Sequence, residues 1–462
     1  MKLGKVRRVH FVGLGGSGMC GIAEVLLNLG YEVSGSDLSN SATLARLASL
    51  GARVTIGHAS SAVKGADVVV VSTAIPTTNP ELLEAQQHRI PVIPRAEMLG
   101  ELMRMKYAVA IAGSHGKTST TAMVATVLSG CSLDPTVVIG GRLGIYGSHA
   151  KLGRSDIMVA EADESDGSFL RLFPTLAVVT GIDREHLEHY GSYEAVQDAF
   201  VAFLAKVPFY GQIIACLDDA GVRAILPRLD RRVVTYGLTA QADLRAIEIE
   251  NRGFEQHFTF ARGEGPSVPV TLHTPGRHQV QNALAALAVA EELGLPLTRA
   301  AAALDAFPGA DRRMQRKGEA GDVLVVDDYG HHPREIVATL GALREAIGDR
   351  RLVVLFQPHR YSRLDVLFDD FVGAFHDADT LVLTELYAAG EAPREGIDSA
   401  HLAAAVAAHG HRDVCSAGAL EDAIERVVAC ARAGDVVLTL GAGSVGGAAE
   451  RMLTLLAGGE RS

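Results

Sequence analysis

The chain has few cysteines and pairs none of them in a motif. The five, Cys20, Cys131, Cys216, Cys415 and Cys430, are odd in number and widely scattered, without a CxxC. That excludes a disulfide framework and a thiolate zinc site; a reducing compartment, and so a cytoplasmic location, is expected. Basic runs are missing too: 43 Lys and Arg against 54 Asp and Glu leave a formal charge of −11. Nucleic acid is therefore not expected as a partner, although an acidic protein can hold a local phosphate pocket. Nearly half the residues are hydrophobic, yet no apolar run reaches the roughly 18 to 20 residues of a membrane-spanning helix, and no membrane partner is expected. The start, MKLGKVRRVHFVGLGG, puts basic residues before apolar ones as a signal peptide does. Gly13, Gly15, Gly16 and Ser17 break its apolar part, so it reads as a first strand. Short-period repeats and low-complexity tracts are also absent.

What is present is an α/β rhythm long enough for about three domains. Residues 1–106 alternate apolar strands (residues 10–13, 32–35, 53–56 and 67–72) with Ala/Leu-rich helical stretches, which predicts a parallel sheet covered by helices. Residues 107–312 open on YAVAIAGSHGKTSTT and continue through strands at 157–160 and 176–180. Between Ala242 and Pro275 the pattern changes to alternating strands, read as a small antiparallel patch, and NALAALAVAEEL (282–293) reads as a helix. The stretch from Gly309 to Gly318 reads as a hinge into residues 313–462, where VLVVDD, RLVVLFQP, TLVLTELY and VVLTLGAG repeat the α/β pattern.

Ligands of parallel sheets bind beyond the carboxyl ends of strands, so the residues following each apolar run carry the chemistry. FVGLGGSG fits G-x-G-x-x-G through Gly13, Gly15 and Gly18, and Asp37 ends the next strand, where a dinucleotide fold places its ribose acid. A nicotinamide enzyme and a nucleotide-diphosphate binder both satisfy that pattern, since the glycines report only a diphosphate at a helix N-terminus. Gly113, Ser114, His115, Gly116, Lys117 and Thr118 form a second glycine loop. It lacks the first glycine of a Walker A, with Ile111 in its place, but puts a lysine and a hydroxyl where a nucleoside triphosphate and its Mg²⁺ need them. A solvated turn is the plainer alternative. EADESD (161–166) crowds four carboxylates at a strand end, suited to a hard cation, and TGIDREH (180–186) brings His186 to the same edge. DDYGHHP (327–333) and QPHRYSR (357–363) place His and Arg at two further strand ends, able to clamp a carboxylate or phosphate.

Taken in order, AGSHGKTST, EADESDGSF, DREHLEHY, GRHQVQNALAA, FPGADRR, DDYGHHP and QPHRYSR resemble the Mur ligases that build the bacterial peptidoglycan precursor, over essentially the whole chain. The resemblance implies N- and C-terminal Rossmann-like sheets flanking a central P-loop ATPase-type domain. EADESD and QPHRYSR favour the alanine-adding branch over the murein peptide ligase and the later amino-acid-adding enzymes. It further implies ATP and Mg²⁺ as cofactors and UDP-N-acetylmuramate and L-alanine as substrates; it leaves the oligomeric state open. Residue by residue, Lys117 would hold the ATP phosphates with Gly113 to Ser119; Thr118 and Glu161 would ligate one Mg²⁺ and His186 a second. Arg313 would reach the phosphates, His278 and Asn282 would lie by the adenine or ribose, and Asp328 would serve the nucleotide. Tyr329, His331, His359, Arg360 and Arg363 would surround the amino acid and the muramoyl carboxylate, with His331 orienting or deprotonating the amine. Gly13, Gly15, Gly16, Ser17, Gly18 and Asp37 would then serve the UDP-sugar. The family commonly carries Asn where this chain has Gln279 and Gly181. No lysine occurs from Arg184 to Ala205, so the carbamoylated lysine of several Mur ligases is not expected. Lys117→Ala is expected to abolish ligation with folding retained, the lysine facing its ligand and not the core.

Overall fold

The computed structural model describes residues 3–72, 74–143, 148–263, 265 and 267–458. Three sheets carry the chain. The first is parallel throughout, with β1 (Arg8–Val12), β2 (Glu32–Asp37), β3 (Arg53–Ile56), β4 (Val68–Val71) and β5 (Val92–Pro94) in the order β3-β2-β1-β4-β5. β5 was not legible as a strand in the sequence, because it is three residues long and ends on a proline. The order reverses beside β1, so the loop at Gly13 sits at the switch point where such sheets bind ligands.

The second sheet holds β6 (Tyr107–Ala112), β7 (Thr136–Leu143), β8 (Ser148–Lys151), β9 (Ile157–Ala162), β10 (Leu176–Val179), β11 (Gln212–Cys216), β12 (Val233–Gly237), β13 (Leu244–Arg252), β14 (Glu255–Arg262) and β15 (Val268–Leu272). Their order is β15-β14-β13-β12-β11-β10-β6-β9-β7-β8. β6 lies between β9 and β10, parallel to both, which brings Gly113, Glu161 and Thr180 to one edge. Val109 to Ala112 and all of β10 are buried, as apolar runs covered on both faces should be. The expected alternating patch is β13 to β15; the two residues joining β13 to β14 allow only an antiparallel hairpin.

The third sheet holds β16 (Gln315–Ala320), β17 (Val323–Asp328), β18 (Leu352–Phe356), β19 (Thr380–Leu383), β20 (Val414–Ser416) and β21 (Val436–Leu440), in the order β16-β17-β21-β18-β19-β20. One strand corrects the expectation of a parallel sheet. β16 runs antiparallel to β17, and its polar sequence, QRKGEA, hides it from an apolar-run reading. The chain divides into two compact units, one of Met1–Glu248, Phe258–Val270 and Gln281–Pro308, the other of Ile249–His257, Thr271–Val280 and Gly309–Ser462. The last division falls at the start of the expected hinge, where Gly309 takes a φ of +90°. Among the described residues no helix is long and apolar enough to cross a membrane.

A buried polar network holds the first sheet's ligand edge. Glu81, fully buried, accepts from Ser36 Oγ at 2.7 Å, from the Ala59 N–H at 3.2 Å, and lies 3.1 Å from His10 Nε2. The Ser36 carbonyl in turn accepts the N–H groups of Gly13 and Leu14, both at 2.9 Å. Burial would push the Glu81 carboxyl up, but the hydrogen bonds of His10 and Ser36 outweigh it and hold it below the usual range. Removing one partner of such a buried set costs about 3–5 kcal/mol. Glu81→Ala should therefore lower the melting temperature by several degrees and Glu81→Gln by less; a thermal scan showing no loss in Glu81→Ala would contradict the assignment.

Candidate active site

The second glycine loop takes a shape that glycine alone admits easily. Gly113 has a φ of +136° and Gly116 of +79°, and the helix Lys117–Gly130 starts at once. A Cβ on Gly113 would run into the Thr180 hydroxyl, and one on Gly116 would stand 2.7 Å from Asn282 Oδ1. Hydrogen bonds lace the loop to the end of β10. Ser114 N–H donates to the Gly181 carbonyl at 2.9 Å, Asp183 N–H to Ser114 Oγ at 2.8 Å, and the Thr180 hydroxyl to the His115 carbonyl. Asn282 Oδ1, expected beside adenine or ribose, accepts from the Thr120 hydroxyl at 3.1 Å in the first turns of the helix that follows the loop. Thr118 lies partly buried in the first helical turn, and Ser119 is buried.

Lys117 folds back over this loop. Its Nζ donates to the Gly113 carbonyl at 2.6 Å and to both oxygens of Glu164 at 2.9 and 2.8 Å. Burial alone would lower the lysine's pKa, but Glu164 and Asp163 outweigh it and raise it above the ordinary value, so the loop carries a fixed positive charge. Glu161 sits one residue before the end of β9, in register with Ile111. Ligand atoms of Glu164, Glu185 and His186 lie within 4.8 Å of one another. His186 adopts a φ of +58° at the start of the short helix Leu187–Tyr190, a left-handed conformation that non-glycine residues hold only when the surroundings enforce it.

In the first sheet, Gly13 turns with a φ of +83° and Gly15 N–H donates to Asp37 Oδ2 at 2.8 Å. Asp37 thus shapes the loop with one oxygen. Gly16 and Gly18 flank the helix start, where Ser17 begins the helix Ser17–Asn28; the Ser17 side chain lies outside the described residues.

The third sheet gathers the remaining expected groups within its own unit. Asp328 is buried at the end of β17, its two oxygens accepting from Met314 N–H at 2.8 Å and Gly330 N–H at 2.7 Å. Its carboxylate therefore fixes the backbone just after Arg313 and just after Tyr329. Arg312 and Met314 both have positive φ, +56° and +49°, and the Arg312 and Arg313 guanidiniums each lie 5.1 Å from the Tyr329 ring centroid. His331 Nδ1 is 3.2 Å from the Tyr329 carbonyl and 3.5 Å from Glu335 Oε2. Both are acceptors, so Nδ1 carries the hydrogen and Nε2 presents a lone pair. Burial pushes the His331 imidazole down to about 3, against the pull of Glu335. His359 stacks on Tyr387 and receives Arg363 Nη1 on its Nδ1 at 3.2 Å; burial and then Arg363 push it down to about 4. Arg360, between them, has a φ of +70°. His278, pressed against Gly276, is pushed down to about 4 by burial and by Arg313.

Three family models match in succession: Mur ligase family, catalytic domain, over residues 8–107; Mur ligase middle domain, over 111–290; and Mur ligase, glutamate ligase domain, over 312–443. The chain belongs to the Mur ligase family. It is 54% identical over 463 residues to the UDP-N-acetylmuramate–L-alanine ligase of Geobacter sp. (strain M21), covering 99% of this Mur ligase and 100% of that relative. Its likeness to the enzyme of the same description from Sorangium cellulosum is also 54%, over 96% and 95% of the two chains. Among solved structures, the UDP-N-acetylmuramate-alanine ligase MurC of Thermotoga maritima superposes with a TM-score of 0.80 at 27% identity, over 97% and 98% of the two chains. Family membership replaces the dehydrogenase reading of Gly13 to Gly18.

Two residues of this Mur ligase's candidate site, Glu164 and Glu335, were not singled out by sequence reasoning. Glu164 lay inside a motif whose first carboxylate, Glu161, took the metal assignment; only the fold shows that Glu164 meets Lys117. Glu335, which accepts the His331 N–H at 3.0 Å and lies 3.9 Å from Arg313, reads in sequence as an ordinary first-turn acid. Gly181, which the sequence did single out, faces Asp219: a Cβ there would stand 3.3 Å from its Oδ2. Gln279 is buried in the first turn of the helix Arg277–Glu292.

Gly116→Ala combines a backbone strain of about 1–3 kcal/mol with a collision at Asn282, and should weaken nucleotide binding at least tenfold by calorimetry; unchanged affinity would contradict the geometry. His278, His331 and His359 also predict a pH dependence. Their folded values, about 4, 3 and 4, lie below the roughly 6.5 of an unfolded chain, so between these limits the unfolded state binds more protons and stability falls as pH falls. Melting temperature should decline from pH 6.5 downward, and the His331 ring resonances should not titrate between pH 5 and 8. An inflection near 6.5 for His331 would overturn its burial.

Proposed function

We propose that this Mur ligase joins L-alanine to the lactyl carboxylate of UDP-N-acetylmuramate with ATP, through an acyl phosphate. The observation that carries the reading is the Lys117 ammonium, held cationic on a glycine loop beside Glu164, Glu185 and His186; the substrates follow from relatives more than half identical over nearly their full length. A carboxylate does not acylate an amine in water. Transfer of the γ-phosphoryl group gives it a leaving group but brings anions together, so catalysis consists mainly of positioning and charge neutralisation.

Lys117 would leave Glu164 for the ATP phosphates. Thr118 and Glu161 would hold one Mg²⁺, and His186 a second together with Glu164 and Glu185, whose carboxylates supply the hard oxygens this cation prefers. Bound there, Mg²⁺ would neutralise phosphate charge. Arg313, cationic and set beside Tyr329, would add positive charge at the transferring group. His331 would orient the alanine amine and take a proton at Nε2 as the amine attacks the acyl carbon. The resulting tetrahedral centre collapses with loss of phosphate. His359 carries its hydrogen on Nε2, since Arg363 can only donate to Nδ1, and with Arg360 would bind the alanine carboxylate.

The expectation that Lys117→Ala folds normally needs correction, since the lysine is mostly buried and its loss leaves Glu164 as an uncompensated charge. The cleaner test is the pair Lys117→Met with Glu164→Gln, which removes both charges together. Phosphate release by the wild type should require UDP-N-acetylmuramate and L-alanine together, and the double variant should lose at least about 1,000-fold in rate while keeping its fold by circular dichroism. Release that ignores either substrate would sink the reading.

A further inference from the structure

The amino edge of the central sheet carries a cavity of its own. Lys106 immediately precedes β6, Thr175 immediately precedes β10, and Tyr210 lies shortly before β11; these are neighbouring parallel strands. A cavity of about 780 Å³ opens there, lined chiefly by Arg104, Lys106, Phe173, Lys206 and Tyr210. Gly113 and Thr180 follow the opposite ends of β6 and β10, roughly 20 Å away along the length of β6.

In a chain of net charge −11 this cavity is cationic. The Arg104 guanidinium lies 3.7 Å from the Phe173 ring centroid and Lys206 Nζ 5.1 Å from the same centroid, so two cations share one aromatic ring. Lys206 also donates to the Leu170 carbonyl, and Lys106 Nζ to the Ser155 carbonyl at 2.6 Å. Each cation is thus held by a contact, but counter-charge is short. Among the described residues the only acid in the lining is Glu101, 3.4 Å from Arg104 Nε, and neither Lys106 nor Lys206 makes an ion pair. The helices Arg95–Arg104 and Tyr193–Leu204 end at this edge, and their carbonyl ends contribute about half a negative charge each, which with Glu101 leaves the three cations about one charge uncompensated. Burial pushes the Lys206 ammonium below the ordinary lysine value, and Arg104 and Arg171 push it the same way. It is a cation crowded by cations.

We propose that this cavity is a second ligand site, separate from the ligation site, and that it takes an organic phosphate of about mononucleotide size. Arg104, Lys106 and Lys206 would bond the phosphate oxygens, supplying the charge-assisted contacts that an anion of this kind prefers. Tyr210, 61% exposed, would cover the flat apolar part of the ligand. Cavities of roughly 300–1,000 Å³ hold whole metabolites, and inorganic phosphate would fill only a small part of this one.

Pyridoxal 5′-phosphate tests the proposal on the full chain. It is an aromatic phosphate whose aldehyde forms an imine with a lysine amine within reach, and borohydride reduction then marks that lysine for peptide mapping, each lysine being read separately. Charge-assisted bonds to phosphate are worth about 10- to 100-fold in affinity, so Lys106 or Lys206 should be labelled at least about tenfold faster than the exposed Lys64. Pyridoxal, which lacks the phosphate, should show no such preference, and AMP should slow the labelling where adenosine does not. Arg104→Gln should raise the half-saturating reagent concentration about tenfold and leave the ligation rate unchanged. A Lys206 that is merely nucleophilic would react equally with both aldehydes, and that result would overturn the proposal. So would Lys64 reacting as fast as both cavity lysines, or a folded Arg104→Gln with the wild-type concentration dependence. Inorganic phosphate protecting as well as AMP would contradict the size of the ligand.

Discussion

Everything at the central edge depends on one buried contact, the Lys117 ammonium against the Glu164 carboxylate. Burying either charge alone is costly, and the pair is tolerable only because it is bidentate and backed by the Gly113 carbonyl. A phosphate bound on the loop, as proposed, would compete directly with Glu164 for the same ammonium. Whatever binds there must replace that carboxylate with a better counter-charge, and the carboxylate it releases lies among Glu185 and His186. The proposed exchange of lysine for a divalent cation thus keeps a positive charge beside that carboxylate.

The missing Walker glycine acquires a physical sense in this setting. Ile111 is an interior residue of β6, fully buried and paired on both sides, so the strand runs on to Ala112 before the chain turns at Gly113. The loop is correspondingly short, and its shape is imposed from outside by Thr180, Gly181 and Asn282. It is a loop braced by its neighbours, where a longer one would close on itself. The third sheet follows the same logic, with Asp328 and Glu335 spending their carboxylates on backbone N–H groups so that Arg313, Tyr329 and His331 are held in place.

The sequence made legible what depends on local pattern: the alternation of strands and helices, the two glycine loops, and the strand ends carrying His186, His331 and His359. Residues that matter through distant partners stayed hidden. Glu164 differs from Glu161 only in which group it meets across the sheet. Asp37 and Asn282, expected beside ligand, each also use a side-chain oxygen within the fold, on the Gly15 N–H and on the Thr120 hydroxyl. β16 was missed because a polar edge strand has no apolar period to report.

The central claim is that the carboxylate is activated as an acyl phosphate before the amine attacks, so that one carboxylate oxygen leaves with the phosphate. UDP-N-acetylmuramate labelled with ¹⁸O in its lactyl carboxylate tests this directly. The account predicts one labelled oxygen in the inorganic phosphate for each amide formed, detected by mass spectrometry. Phosphate released without label during amide formation would contradict it.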